Sequence, residues 1–324
     1  MPTNCTNPPD TVPTDAGVAG TGVLLSFIIT AVISLALSAS LIIQEQFFRN
    51  RGRPSVVRRK LLNAYSDQQI MTGIGIQVVG LAQMDAAFMA PYHFFIIWML
   101  SLLSMAVHNA TLLALVHDFR RDWVLRWLRQ FLMFVNLALS CVYGSFMLEA
   151  VQRHLTESTA PISCVWDDAT PTPANDPTNI GLSFFGTIAV IAGNAVIFAM
   201  ATWYLHSRAQ RFYRTIQLVG LVLMAASAIG AAARVLMLSQ AFGQPSVPLS
   251  DENEKHWSFG AWVSLGMLAL PVISVIEILR GELRYAPPVA DQDDKAELLG
   301  HSGNELHTFQ PNPFWGDSSN AYKK

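Results

Sequence analysis

Apolar residues in this chain gather into seven long runs separated by short polar stretches. The runs cover roughly 19–43, 70–90, 94–116, 127–150, 181–205, 215–242 and 261–279. Each holds about the 20 mostly apolar residues that a helix needs to cross a hydrocarbon core. The pattern predicts an all-α fold, a seven-transmembrane-helix bundle over residues 17–284. It is preceded by a polar, Pro-rich segment, 1–16, and followed by a polar tail, 285–324, that reads as disordered. The first run is too long for the apolar core of a signal peptide. No basic stretch precedes it, so it is expected to be an uncleaved span.

Composition agrees. The 324 residues are 52% hydrophobic and 14% charged, against roughly 25% charged in a soluble domain. No sizeable soluble domain remains once the seven runs are counted. Lipid is therefore the expected partner and nucleic acid is not. The location is a membrane, crossed several times, either plasma membrane or endomembrane.

Charge placement predicts an orientation. One set of loops carries Arg49, Arg51, Arg53, Arg58, Arg59 and Lys60, then Arg120, Arg121 and Arg126, then Arg208, Arg211 and Arg214, with Arg280 and Arg284 after the last run. The other side has Arg153 and Lys255. Basic residues mark the cytoplasmic side, which puts the N-terminus outside or in a lumen and the C-terminus in the cytoplasm. The Asn4-Cys5-Thr6 triplet fits a glycosylation acceptor on the outer side. Cys5 and Cys164 share that side, where a disulfide can form. Cys141 falls inside the fourth run as a small packing residue.

Charged and polar residues within the runs are the candidate chemistry. A charge at a helix centre costs roughly 2.5–3.5 kcal/mol on insertion scales. Asp85, Glu149 and Arg234 lie at similar depth near the outer side, and Arg234 is expected to pair with Asp85 or Glu149. A catalytic reading of the same region takes Asp85, His93, Glu149 and Arg234 as candidates. In the third run, Ser101, Ser104, His108 and Thr111 fall at spacings of three and four and share one face. With Asn136 and Asn194 at similar depth, His108 could line a polar cavity or bond helix to helix. No spacing of His, Cys or acids makes a metal or heme site, so no cofactor is expected. Gly73, Gln77, Gly80 and Met84 follow one stripe of the second run and mark close packing. Pro271 is expected to kink the seventh. Pro91-Tyr92-His93 reads as a tight turn with Tyr92 and His93 at the outer interface.

Tyr65-Ser66-Asp67-Gln68-Gln69 precedes Thr72-Gly73; Tyr92-His93-Phe94 and His108-Asn109-Ala110-Thr111-Leu112 follow. This set resembles a large family of polytopic membrane proteins of filamentous ascomycete fungi, over roughly residues 60–118 with weaker support beyond. The resemblance implies no established activity. Members of that family can neighbour secondary-metabolite gene clusters, which is an association and not a mechanism. The residues also have a local reading. Ser66 as N-cap and Gln69 three positions on would form a capping box at the start of the second helix, with Asp67 complementing its dipole. Gln68 and Gln77 have no such explanation.

Three functions compete. Seven helices with an outer N-terminus match a receptor-like sensor of a small lipophilic ligand, although fold analogy is weak warrant. No Asp-Arg-Tyr-like triplet ends the third run, and the seventh run has no lysine to hold a retinal. A membrane-bound, terpene-cyclase-like enzyme would use a buried acid as proton donor. Asp85, Glu149 and Glu277 are the acids for it, with Asp85, His93 and Arg234 the site to test. A transporter would show inverted repeats or broken helices, and neither is apparent in the sequence.

Overall fold

The computed structural model describes residues 5–47, 56–86, 89–121, 123–168, 180–206 and 213–280; the side chains at 117, 120, 121, 123–125, 180–183, 204 and 277–279 are excepted. Asn4, the basic stretch at 49–53, Arg208, Arg211, Arg284 and the tail from 285 lie outside the described residues, as does the side chain of Glu277.

The architecture is an all-α bundle. Its helices are α1 (Thr21–Phe47), α2 (Val56–Ala82), α3 (Pro91–Ala114), the short α4 (Val116–Arg121), α5 (Trp123–Gln152), α6 (Ile180–His206) and α7 (Tyr213–Leu238). A final span consists of α8 (Phe259–Gly266), a 3₁₀ turn (Met267–Ala269) and α9 (Leu270–Leu279). Six of the spans are long and apolar enough to cross a membrane, and α2 is the one that is not.

The helix α3 is the axis. It packs against α1, α2, α5, α6 and α7, and every residue from Pro91 to Leu113 except Phe95 is buried. A helix that is apolar nearly all round has to be enclosed by others. The outer helices show the opposite pattern. Phe131 and Phe134 on α5, Phe185 and Trp203 on α6, Val222, Ile229 and Met237 on α7, and Phe259, Trp262 and Ile273 on the last span are all exposed. An apolar surface that continuous is unfavourable in water and natural in lipid. This is a multi-pass membrane protein.

The second helix departs from the expected 70–90. It begins at Val56 and ends at Ala82, so Ser66 and Gln69 sit in its middle. They are not a capping box, and Asp67 is not in a first turn. The helix extends into polar sequence because Lys, Arg, Leu and Gln are good helix formers and because neighbours pair its charges. Arg59 pairs with Asp118 of α4, and Arg129 of α5 binds Asp67 and Asn63. At the other end, Asp85 lies beyond the helix in an exposed turn. Pro91 takes the first position of α3, where its missing N–H leaves no intrahelical bond unmade.

The last span stays helical throughout but tightens into a 3₁₀ turn just before Pro271. Pro271 cannot donate to the carbonyl of Met267. The Leu270 N–H takes that carbonyl instead, closing the 3₁₀ turn. The neighbouring Leu268 carbonyl accepts from the Tyr65 hydroxyl of α2 at 3.1 Å.

Candidate functional site

Three polar regions stand out.

The first is a cap over one end of the bundle. Its core is Glu254, which the 3₁₀ turn Asn253–Lys255 directs inward to zero exposure. The Glu254 Oε1 shares a hydrogen bond of 2.7 Å with His93 Nε2 and accepts from the Asp15 backbone N–H at 3.2 Å. Its Oε2 accepts from the Tyr92 hydroxyl at 2.9 Å, and the Gln240 backbone N–H donates to that hydroxyl oxygen. Thr21 Oγ1 donates to the Glu254 carbonyl. Val12 and Pro248 to Ser250 exchange backbone bonds as a single parallel bridge, and Thr14 binds the Asp251 carboxylate. The Thr14 hydroxyl, followed by the Asn253 N–H, holds the Asp251 carboxyl below its ordinary value. That tie is therefore complete at neutral pH and is lost only as pH falls through the lowered value. A disulfide joins Cys5 to Cys164 across 159 residues of sequence. Ile162 donates to the Met89 carbonyl at 2.8 Å, and Trp166 stands edge-on to Phe146. The N-terminal segment and two loops are thus fastened over the start of α3.

This arrangement corrects several expectations. Tyr92 and His93 are not an interfacial turn but the buried first turn of α3. Arg234 pairs with neither Asp85 nor Glu149. It is exposed on α7, while Glu149 pairs with Arg153 just past the end of α5. Helix rotation decides this, because α7 turns Ala231 and Val235 inward and Arg234 away. Of Asp85, His93, Glu149 and Arg234, only His93 meets a buried carboxylate, and that carboxylate is Glu254. In the sequence Glu254 stands in an acidic loop with Asp251 and Glu252. Nothing in such a run marks which acid turns inward.

The second region is a polar core between α2, α3 and α5. Gln77 Nε2 donates to Asn136 Oδ1 at 2.5 Å and to its own helix's Gly73 carbonyl at 2.8 Å. Asn136 Nδ2 donates to Ser104 Oγ, which in turn bonds the Gln69 carbonyl and His108 Nε2, both at 2.9 Å. The Tyr143 hydroxyl donates to the Gln77 carbonyl, and Ser101 donates to Ser140. The structure joins His108 and Asn136 through Ser104. Asn194 is not part of the network; its Nδ2 donates to the Val190 carbonyl of its own helix. Gly73 and Gly80 permit this approach, since a Cβ there would collide with Ser104 and with Tyr143 respectively. The network is tightly packed interhelical bonding.

The third region is a cavity of about 610 Å³ between the first turns of α1, the second half of α2, and Ser264 and Met267 of the last span. Thr14, Asp15, Gly17 and Val18 of the cap form its roof. The volume is within the usual range for a small-molecule site. Its rim residues Gly75, Val79, Gln83 and Met267 are exposed, so it opens sideways at the surface of the bundle. Two amides face it. Gln69 is 2% exposed, and its Nε2 has no hydrogen-bond partner in the protein; neither does the buried Oε1 of Gln68. A buried polar atom without a partner costs about 1–3 kcal/mol. The hydroxyls of Ser26, Thr30 and Thr72 donate to carbonyls of their own helices. No Lys, Arg or His lines the cavity among the described residues, and Asp15 is the sole acid there. Asp15 Oδ1 accepts from the Gly17 N–H. Sequence reading found Gln68 without a role but had no signal for the cavity, which exists only where three helices meet.

Among the described residues, no cluster of three or more His, Cys or acidic groups could hold a metal ion. No family model matches the chain, and neither a curated protein nor a solved structure matches it.

Proposed function

We propose that the chain is a receptor-like seven-helix membrane protein, N-terminus outside, that holds a small lipophilic ligand without transforming it. The side-opening cavity between α1, α2 and α8 is the observation that carries this reading. Its walls are mostly apolar with a few hydroxyl and amide side chains among them, which is the usual make-up of a ligand site. The cyclase-like alternative has less support. It needs a buried acid poised over a substrate. Asp85 is exposed, Glu149 is paired with Arg153 at the end of α5, and Glu254 is saturated by His93, Tyr92 and Asp15. Among the acids whose side chains are described, Asp15 at the cavity roof is the one left to that reading; the side chain of Glu277 lies outside the described residues.

The orientation rests on the basic flanks of the spans and on the Cys5–Cys164 disulfide in the cap, since such bonds persist on the outer side of membranes. The resemblance over residues 60–118 carries only an association with fungal secondary-metabolite gene clusters and names no ligand.

Gene deletion with metabolite profiling by mass spectrometry tests the function. The expected result is an unchanged set of metabolites with an altered response to one of them. Accumulation of a single uncyclised precursor would assign the protein to the enzymes. The orientation is tested by an N-terminal epitope, which should bind antibody on intact cells or sealed, right-side-out vesicles.

A further inference from the structure

We infer that the cavity takes a lipophilic amine, one hydrocarbon chain ending in an ammonium group, with the ammonium held at Asp15. The inference rests on the reading of the cavity as a ligand site and specifies the ligand's charge and shape. Asp15 lines the roof and is partly exposed, so a ligand can reach it. Its backbone is already engaged inside the cap. The N–H donates to Glu254 Oε1, and the carbonyl accepts from the N–H groups of Val18 and Ala19. What remains to face the cavity is the carboxylate. It leans over the next lining residue, Gly17. Its Oδ1 accepts from the Gly17 N–H at 2.8 Å and lies 3.1 Å from where a Gly17 Cβ would stand. Among the described residues no basic side chain pairs with this carboxylate, and no donor occupies Oδ2.

The surroundings favour a cation there. No Lys, Arg or His lines the cavity among the described residues. Lys255 is paired with Glu252, and Arg153 with Glu149 and Asp168, so these bases of the cap end are already engaged with acids. A site lined by one sign of charge concentrates the opposite ion, and an alkyl amine is charged at neutral pH as the lysine side chain is. A fatty acid or a phosphate would meet Asp15 with like charge and find no cation to offset it. Shape selects a single chain. The lining residues of α2 run from Gln68 to Gln83, a length of about 22 Å at 1.5 Å per residue. About 610 Å³ drawn out over that length is a slot, and Val23, Phe27, Ile76, Val79 and Met267 give it apolar walls. The exposed rim at Gly75 and Val79 puts the opening on the side of the bundle. The amine therefore arrives from the bilayer, its head at the cap and its chain along α2.

The test uses the full chain in phosphatidylcholine nanodiscs near neutral pH with three photoreactive diazirine probes: hexadecylamine, hexadecanol and hexadecanoic acid. Crosslinked peptides are mapped by mass spectrometry. Three variants accompany the wild type, and gel filtration monitors their folding. Asp15→Asn removes the charge but keeps an oxygen to accept from the Gly17 N–H. Asp10→Asn removes an exposed charge that does not line the cavity. At Gly75 an added Cβ meets nothing within 4 Å, so Gly75→Leu fills the opening while favouring the helix. The amine should label α1 and α2 at the cavity about three- to fivefold more than the alcohol, the worth of a partly screened ion pair, and the acid least. Asp15→Asn should bring the amine down to the level of the alcohol, Asp10→Asn should leave its excess in place, and Gly75→Leu should abolish labelling by all three. An amine excess that survives Asp15→Asn, or that Asp10→Asn removes equally, would overturn the inference, since surface charge alone would then draw the probe. The wild-type comparison decides by itself should Asp15→Asn not fold: an amine that labels no better than the alcohol overturns the inference. If labelling is equal for all probes and Gly75→Leu still removes it, the lipophile site stands without its amine. No cavity labelling by any probe would overturn both.

Discussion

Glu254 is the residue on which the cap depends. It is wholly buried and accepts from or shares bonds with three groups on two separate segments. Removing one partner of a buried charged or hydrogen-bonded pair costs about 3–5 kcal/mol, because the other is left unanswered. Glu254→Ala should therefore lower the melting temperature and folded yield sharply in fluorescence-detected gel filtration. Tyr92→Phe, which loses one bond to Glu254 and one from Gln240, should cost less, roughly 1–3 kcal/mol. Arg234→Ala and Asp85→Asn should leave yield unchanged, since both side chains are exposed and neither is joined to the other. A loss in either equal to that of Glu254→Ala would restore the buried pair first expected from their depth in the sequence. That expectation failed for a physical reason. Depth along a helix can be read from residue number, but rotation about its axis is set by packing, and Arg234 is turned away from the bundle.

At the scale of the element, α2 holds most of what the pattern left unexplained. Apolar content placed it at 70–90, whereas the helix runs from Val56 to Ala82. Its polar half is stabilised by partners far off in sequence, Asp118 and Arg129, which no local pattern reveals. The 3₁₀ turn in the last span was more legible, because Pro271 carries its own steric cause. What the sequence could not reveal is that Tyr65 would take the Leu268 carbonyl. The stripe through Gly73, Gln77 and Gly80 was legible as a close contact, and Asn136 proved to be the polar partner. A double-mutant cycle of Gln77→Leu and Asn136→Leu should give a coupling of roughly 0.6–1.7 kcal/mol, the span measured for such bonds between membrane helices. Unfolding in mixed micelles would measure it. Additive effects would mean that each side chain is held by other groups.

At the scale of the whole molecule, a fastened cap covers a bundle whose flank is open. The cap depends on the disulfide between Cys5 and Cys164, the Val12 bridge and the Glu254 cluster. Reduction, or Cys164→Ser, should slow the protein on a non-reducing denaturing gel by releasing the closed loop between the two cysteines. Identical mobility in all three states would mean that the bond does not form in the cell. The sequence by itself determined that the chain is helical, crosses a membrane several times and carries little chemistry in its spans. Hydrophobic length and charge content are properties of each segment alone, and lipid reads them segment by segment. Only the tertiary structure decided which polar residues meet. It brought Glu254 to His93 and Gln77 to Asn136, it turned Arg234 away, and it left Gln68 and Gln69 facing a cavity. Those outcomes depend on helix rotation and on contacts between segments distant in sequence, and a linear pattern carries neither.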